Sequence, residues 1–539
     1  MTRKILSHPD WIIAVVISLA AIWLHFTFLT HAGGLWRDEV AVANISRLPT
    51  LGQTWQALPH DHCPIVFPVL VRLWTMSGPG ATDAGLRMLG LVCGLLLLTA
   101  YWAAGRMMGK GLSLLSLALA GLNFTMIRYG DSIRAYGLAT ACMVLAVSLI
   151  WRFIEVPGGK RALMAGMAVV LSVQLLYQNA FFVLAVCTAG AGVCFRRSQP
   201  RNAIAILSIG AVAALSLLPY VSPIYHAQSW WIVNKTGITW AIFLNRMAEA
   251  TGILAGVWLA LPIVAAVFGA GYALKNLSRE NADVQQDLPL FASMALVIGL
   301  TGFGIFIKLT GLPTQCWYYL PAMGFTVVCC DVILPRIHPR ARLVVLVMAV
   351  IAGSLAFSPA FSSLKWRQTN GDLVAAEVSQ KAGPDDLVIV HPWYYGLTFA
   401  YYYRGTAPWT TLPPLADYRF HRYDLLKAEL QMTNAIEPVL ERVKTTLSSG
   451  HRVWLVGQIP APESGAPPVE LPPAPYGPQG WADQPYSDAW GAELGYFLIH
   501  HITNAAPLVD SSTIFINPME DMAVILVSGW HAPAQNHPP

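Results

Sequence analysis

Three short stretches of this 539-residue chain gather the side-chain types that do chemistry. Trp36-Arg37-Asp38-Glu39 sets two carboxylates beside an arginine. His60-Asp61-His62-Cys63-Pro64 brings two histidines and an acid together just before an apolar run. Arg128-Tyr129-Gly130-Asp131-Ser132-Ile133-Arg134-Ala135-Tyr136 mixes charge with aromatics ahead of another such run. A helix N-terminus with an adjacent arginine suits a phosphate, through its free N–H groups and the guanidinium fork. A carboxylate facing that phosphate can take a proton from an attacking hydroxyl. These parts fit glycosyl transfer from a lipid-linked phosphosugar. The leaving phosphate needs charge stabilisation more than protonation, and the acceptor hydroxyl, a poor nucleophile, needs a base. One carboxylate base implies a single displacement that inverts the anomeric carbon.

The elements that position these groups are read from composition. Charged residues make up 12% and hydrophobic residues 55% of the chain, with a mean hydropathy of +0.51. A soluble domain carries about a quarter charged residues, so lipid is the expected solvent. Residues 11–30 form the first apolar run, too long for a signal-peptide core and without a clear cleavage site. Further runs follow at 85–104, 111–127, 135–153, 162–177, 180–195, 203–218, 252–274, 288–307, 317–334 and 343–361. Residues 64–74 are apolar but short, and are expected to lie along the interface. The expected fold class is a polytopic α-helical membrane protein of about eleven transmembrane helices, 1–361, with a C-terminal soluble α/β domain, 362–539.

Orientation follows from Lys and Arg in the short loops. Arg106 and Lys110; Arg152, Lys160 and Arg161; Arg196, Arg197 and Arg201; Lys275 and Arg279; and Arg336, Arg340 and Arg342 all fall on the side of Arg3 and Lys4. With that side cytoplasmic, eleven crossings place the tail outside. The outer face then collects the first loop, 31–84, together with Arg134, Lys308 and the aromatics Trp230, Trp231, Trp317, Tyr318 and Tyr319. The aromatics are expected to join the interfacial belt, Arg128 to be an ordinary interfacial charge, and Asp131 to orient Arg134 one helical turn on.

Three motifs carry a family resemblance. Trp36-Arg37-Asp38-Glu39 resembles the acidic first-loop motif of the glycosyltransferase C superfamily (GT-C), in its bacterial branch related to protein O-mannosyltransferases and lipid A aminoarabinose transferases. His62-Cys63-Pro64-Ile65-Val66-Phe67, followed by Leu70-Val71-Arg72-Leu73-Trp74, resembles its His-Pro-Pro-Leu-Tyr interfacial segment. Asp131-Ser132-Ile133-Arg134-Ala135-Tyr136-Gly137-Leu138 resembles its Glu/Asp-x-x-Arg-x-Tyr-x-Leu segment. The likeness covers roughly the first 160 residues. It implies a polyprenyl-phosphate sugar donor, membrane lipid as surroundings, a lipid, glycan or protein acceptor, and action on the non-cytoplasmic face of a bacterial inner membrane. It makes Asp38 the leading base with Glu39 its neighbour or alternative. Arg134, Asp131, Tyr136 and His62 become candidate substrate ligands. The chain departs from the family at Cys63, where a proline is usual. It departs again at Gln315-Cys316-Trp317-Tyr318-Tyr319, where many relatives carry Arg-Tyr; Lys308 is a candidate for the missing positive charge.

The tail is expected to hold helices at 372–381 and 437–449, strands at 387–390, 452–456 and 523–528, and a Pro/Gly-rich loop at 459–491. It carries no nucleophile elbow, phosphate loop or metal motif, and is expected to shape acceptor access without doing chemistry. No cofactor is called for. His60-Asp61-His62 has the residue types of a divalent-metal site, but adjacent ligands are an awkward spacing and a solvated loop cluster is the simpler reading. Nucleic acid is not an expected partner, because no basic stripe interleaves with stacking aromatics. The alternative reading is a transporter or flippase of lipid-linked sugars. Such proteins favour charges near the midplane and repeat symmetry, and this sequence displays neither.

Overall fold

A computed structural model describes residues 8–61, 63–109, 111–231, 238–276, 283–311, 314–337, 340–459, 471–474, 483–508 and 515–531. The chain divides into two compact units: one of residues 1–30, 63–222 and 237–364, the other of residues 31–62, 223–236 and 365–539.

Among the described residues nine helical segments are long and apolar enough to cross a membrane: Pro9–His31, Asp83–Met108, Tyr136–Glu155, Asn179–Arg196, Pro200–Trp230, Trp240–Tyr272, Val284–Thr310, Cys316–Arg336 and Ala341–Leu364. Two of the eleven expected runs are not among them. The 162–177 run forms the 17-residue helix Gly159–Leu175, about 25 Å long at ~1.5 Å per residue. The 111–127 run is broken. A π-helical turn, Ser116–Ala120, is followed by a separate helix, Phe124–Gly130, whose N-cap Asn123 accepts from Met126 N. Asp331 gathers the amides of Leu115 and Ser116 at 2.9 and 2.8 Å and the Ser116 hydroxyl at 2.7 Å. A side-chain cap inside the apolar run and a carboxylate that takes backbone donors both stop a continuous helix. The short apolar segment expected at the interface forms an 11-residue helix, Val66–Met76.

The second unit is a mixed α/β structure. Its five strands are β1 (Leu387–His391), β2 (Trp409–Thr411), β3 (Val453–Gly457), β4 (Ile502–Pro507) and β5 (Ala523–Trp530). They lie in the order β2-β1-β3-β5-β4. β2, β1 and β3 are parallel, and β5 is antiparallel to both β3 and β4. β1 and β3 are buried throughout, which is why they read as unbroken apolar runs. Successive side chains point to opposite faces. Val388, Val390, Trp454 and Val456 therefore pack with the Gly371–Lys381 and Tyr395–Tyr402 helices, through Val374, Val378, Tyr395 and Phe399. Leu387, Ile389, Val453 and Leu455 pack with Glu437–Ser448 and Gln484–His501, through Val439, Val443, Leu494 and Leu498.

Residues 31–62 belong to this unit. Gln368 N donates to Ala32 O at 2.8 Å, Leu35 N to the Tyr402 hydroxyl at 2.6 Å, and Asn44 Nδ2 to Arg419 O at 2.8 Å. Ala41, Ile45 and Ala57 share a core with Trp393, Leu397, Phe420, Leu426 and Leu430. The tail differs from its sequence reading in three places. β2 is only three residues long, β4 is a mostly exposed edge strand, and the expected 459–491 loop runs into the helix Gln484–His501.

Candidate active site

The acidic motif starts the helix Arg37–Ser46. Glu39 is fully buried, and its Oε2 accepts from Trp36 N at 3.3 Å, closing the helix start from within. Asp38 lies in the same first turn, where a negative charge is favoured by the helix dipole. Its side chain keeps 17% of its surface exposed, and Oδ1 lies 3.5 Å from His421 Nε2 and 3.9 Å from Arg37 Nε. Of the two candidate acids, Glu39 is fully buried and Asp38 is partly exposed.

Arg37 turns into the tail. Its Nη1 donates to Met519 O at 2.7 Å and to Glu520 Oε2 at 3.3 Å, and its backbone N reaches the same oxygen at 3.1 Å. The guanidinium sits 4.7 Å from the Tyr394 ring centre and 5.1 Å from that of Trp36. Burial alone would lower the Arg37 pKa, but the carboxylates of Glu520 and Asp38 more than offset it and the net shift is upward. Glu520 is fully buried and accepts from Thr398 Oγ1 at 2.6 Å. Burial, opposed by Arg37, pushes its carboxyl up to about 7.

His60 stacks between Trp230, ring centres 5.0 Å apart, and Phe420, 5.1 Å apart. Its Nδ1 donates to His421 O at 3.2 Å. Burial lowers its pKa, with Asp424 pulling the other way. Phe420 and His421 therefore meet both ends of the first-loop chemistry, Asp38 through the His421 ring and His60 through the Phe420 ring and the His421 carbonyl. His62 lies outside the described residues. Among the described residues no three His, Cys, Asp or Glu side chains come together as metal ligands.

In the helical unit, Asp131 is paired with His25 of the first span, Nδ1 lying 2.7 Å from Oδ2 and 2.9 Å from Oδ1. Both are buried. Gly90 and Gly94 make room for this pair, since a Cβ on Gly90 would meet Asp131 O at 1.8 Å and one on Gly94 would meet Asp131 Oδ1 at 1.9 Å. Arg134 is half-buried just before the helix Tyr136–Glu155, its guanidinium 6.0 Å from the Tyr136 ring centre. Tyr136 is buried and meets Tyr318 edge-on at 6.3 Å. Arg128 is buried and donates to Ser363 O, a structural role where an interfacial charge was expected. Lys308 is exposed near the end of Leu288–Thr310, with Nζ donating to Ile238 O at 3.2 Å.

Sequence reasoning missed His421 and Glu520. The run Asp417-Tyr418-Arg419-Phe420-His421-Arg422-Tyr423-Asp424 mixes charge and aromatics as the segment Arg128–Tyr136 does. Glu520, in Asn517-Pro518-Met519-Glu520-Asp521, has no comparable local signal.

No family model and no curated protein matches the sequence. Solved structures do match the fold. ArnT from Cupriavidus metallidurans bound to undecaprenyl phosphate is 14% identical, over 84% of this chain and 93% of its own, with a TM-score of 0.51. The apo state of the same protein is 14% identical, over 83% and 92%, with a TM-score of 0.52. The arabinosyltransferase EmbB from Mycobacterium smegmatis is 13% identical, over 68% and 40%, at a TM-score of 0.36 that is too low to argue from. At such identities the likeness is one of fold. The chain is a multi-pass membrane protein with the GT-C fold and a C-terminal α/β region.

Proposed function

We propose that this chain is an inverting glycosyltransferase. It moves a sugar from a polyprenyl-phosphate donor to an acceptor hydroxyl or amine on the extracytoplasmic face of a bacterial inner membrane. The N-terminus is cytoplasmic and the tail, 362–539, is extracytoplasmic. The observation that carries the reading is the division of labour in the acidic motif. Asp38 stays partly exposed beside His421 while Glu39 is buried as a helix cap. The fold it shares with ArnT, a protein solved with undecaprenyl phosphate bound, supports the donor class.

In this reading Asp38 takes the proton of the acceptor as its oxygen or nitrogen bonds to the anomeric carbon. The bond from that carbon to the phosphate oxygen breaks, and its electron pair leaves with the polyprenyl phosphate. Arg134 is assigned to the phosphate charge, with Asp131, Tyr136, His62 and Lys308 as the further candidate ligands taken from the sequence. The Asp131 carboxylate is paired with His25, and the Tyr136 ring lies beside Arg134.

The test is release of polyprenyl phosphate in native membranes that hold the natural acceptor, supplied with a panel of radiolabelled polyprenyl-phosphate sugars. Release with one sugar establishes the reaction and names the donor. No release with any, or passage of the lipid-linked sugar across the bilayer chemically intact, overturns the reading.

A further inference from the structure

The parallel part of the tail sheet changes direction between β1 and β3. The chain leaves β1 through the Tyr395–Tyr402 helix on one face and returns as β2. It leaves β3 toward the Gln484–His501 helix on the other face and returns as β4 and β5. Where outgoing connections diverge from adjacent parallel strands, a crevice opens at their carboxyl ends, the usual ligand position in open α/β sheets.

A cavity of about 260 Å³ lies there, lined by His391 at the end of β1, Gln458 just past β3, Tyr394, and Gln484, Ser487 and Asp488 of the following helix. The strand ends are fixed closely. Gln458 N donates to His391 O at 2.8 Å. Gly457, at φ +107°, brings the backbones so near that a Cβ would lie 1.8 Å from His391 O. Only glycine serves both needs.

The lining has a definite hydrogen-bond character. His391 is 4% exposed, and its Nδ1 lies 3.2 Å from Leu412 O. A carbonyl only accepts, so Nδ1 carries the proton and a neutral ring keeps Nε2 as an acceptor. Burial favours that neutral form by lowering the His391 pKa, against the pull of the Leu412 carbonyl and of Asp488. The Asp488 carboxylate, which takes one hydrogen bond from Gln484 Nε2 at 2.8 Å, adds further acceptors. Ser487 and the Gln458 amide both donate and accept. Tyr394 supplies an aromatic face, and its ring is the one that lies 4.7 Å from the guanidinium of Arg37, next to Asp38.

Acceptors in excess call for a ligand rich in O–H donors and without a negative charge. A volume near the lower bound of about 300 Å³ for small-molecule pockets limits it to a single ring. We propose that this crevice is a carbohydrate subsite that binds one uncharged sugar ring, either free or as one residue of a glycan. The claim is one of binding and stands apart from the transferase reading.

The experiment uses the full chain in lipid nanodiscs. Saturation-transfer NMR is run with the methyl glycosides of arabinose, mannose, galactose, glucose and N-acetylglucosamine, and with linear tetrasaccharides of the same sugars. At least one probe is expected to show transfer, and preference for monosaccharide or tetrasaccharide tells a free sugar from a glycan. Asp488→Ala, at an exposed position, and His391→Gln, with folding checked by thermal melting, are each expected to weaken that binding about tenfold, the worth of a hydrogen bond to a charged or buried partner. Asp38→Asn is expected to leave it unchanged, so this site and the proposed reaction fail separately. No transfer from any probe overturns the subsite. Transfer unchanged in both crevice variants, or lost in Asp38→Asn, overturns it as well.

Discussion

His421 Nε2 lies 3.5 Å from Asp38 Oδ1, so a ring from the tail faces the one carboxylate of the first-loop motif that keeps some exposure. The same ring stacks on Tyr423 and meets Trp393 edge-on, which fixes its direction. If it orients Asp38, His421→Ala should lower turnover by roughly 10- to 100-fold, the worth of a hydrogen bond to a charged group. His421→Gln keeps a donor and should recover part of the loss, with little change in KM for either variant. Equal losses in both would reduce His421 to a packing residue.

Glu520 ties the motif to the tail with a pH signature. Burial pushes its carboxyl up to about 7 in the folded protein, from 4.5 for an ordinary glutamate. Below about 4.5 both folded and unfolded chains hold the proton, and its contribution to stability is fully present. As pH rises toward 7 the unfolded chain releases the proton first, and the contribution is lost. The change is on the order of 3 kcal/mol, at ~1.4 kcal/mol for each pH unit between the folded and unfolded values. Melting curves from pH 4.5 to 7.5 should show wild-type stability falling relative to Glu520→Gln, which has no proton to lose. A rise across that window would mean that the Arg37 ion pair outweighs burial.

The helical unit offers a packing test. Alanine at Gly94 drives a Cβ into Asp131 Oδ1, and alanine at Gly90 drives one into the Asp131 carbonyl. Each should cost about 1–3 kcal/mol by overpacking. Gly90→Ala should cost more, since a backbone carbonyl yields less readily than a side-chain oxygen. Unfolding in detergent measures both, and equal stability of Gly90→Ala and wild type would contradict the close approach.

The His25–Asp131 pair can be examined by a double-mutant cycle. His25→Leu leaves a buried carboxylate without this partner and should cost roughly 3–5 kcal/mol. His25→Leu with Asp131→Leu removes both polar groups and should recover most of that. Strict additivity would mean that the two side chains do not act on each other.

Much of this was legible in the sequence. Long apolar runs marked the spans because each must satisfy its own backbone in lipid. The buried strands β1 and β3 stand out as continuous apolar runs. The break at 111–127 was hidden, because it depends on Asn123 capping a new helix and on Asp331 reaching in from far along the chain. β2 is too short, and β4, exposed along almost its whole length, has no buried face to leave a periodic trace. The sequence ranks Asp38 ahead of Glu39 only through the family likeness; burial separates the capping Glu39 from the partly exposed Asp38. Asp131 was expected to orient Arg134, yet its carboxylate is held by His25, a pairing that spans 106 positions and has no local sequence pattern. His421 and Glu520 reach the first loop only through the tertiary fold, Glu520 without any local signal in the sequence.

The central claim is that Asp38 is the base of a transfer from a lipid-linked phosphosugar. The most direct measurement compares polyprenyl-phosphate release by wild type and Asp38→Asn, at equal abundance in membranes that hold donor and acceptor. The account predicts a fall of roughly 100- to 10,000-fold, the usual worth of a general base, in a variant that inserts and melts as wild type does. Release at the wild-type rate would contradict it.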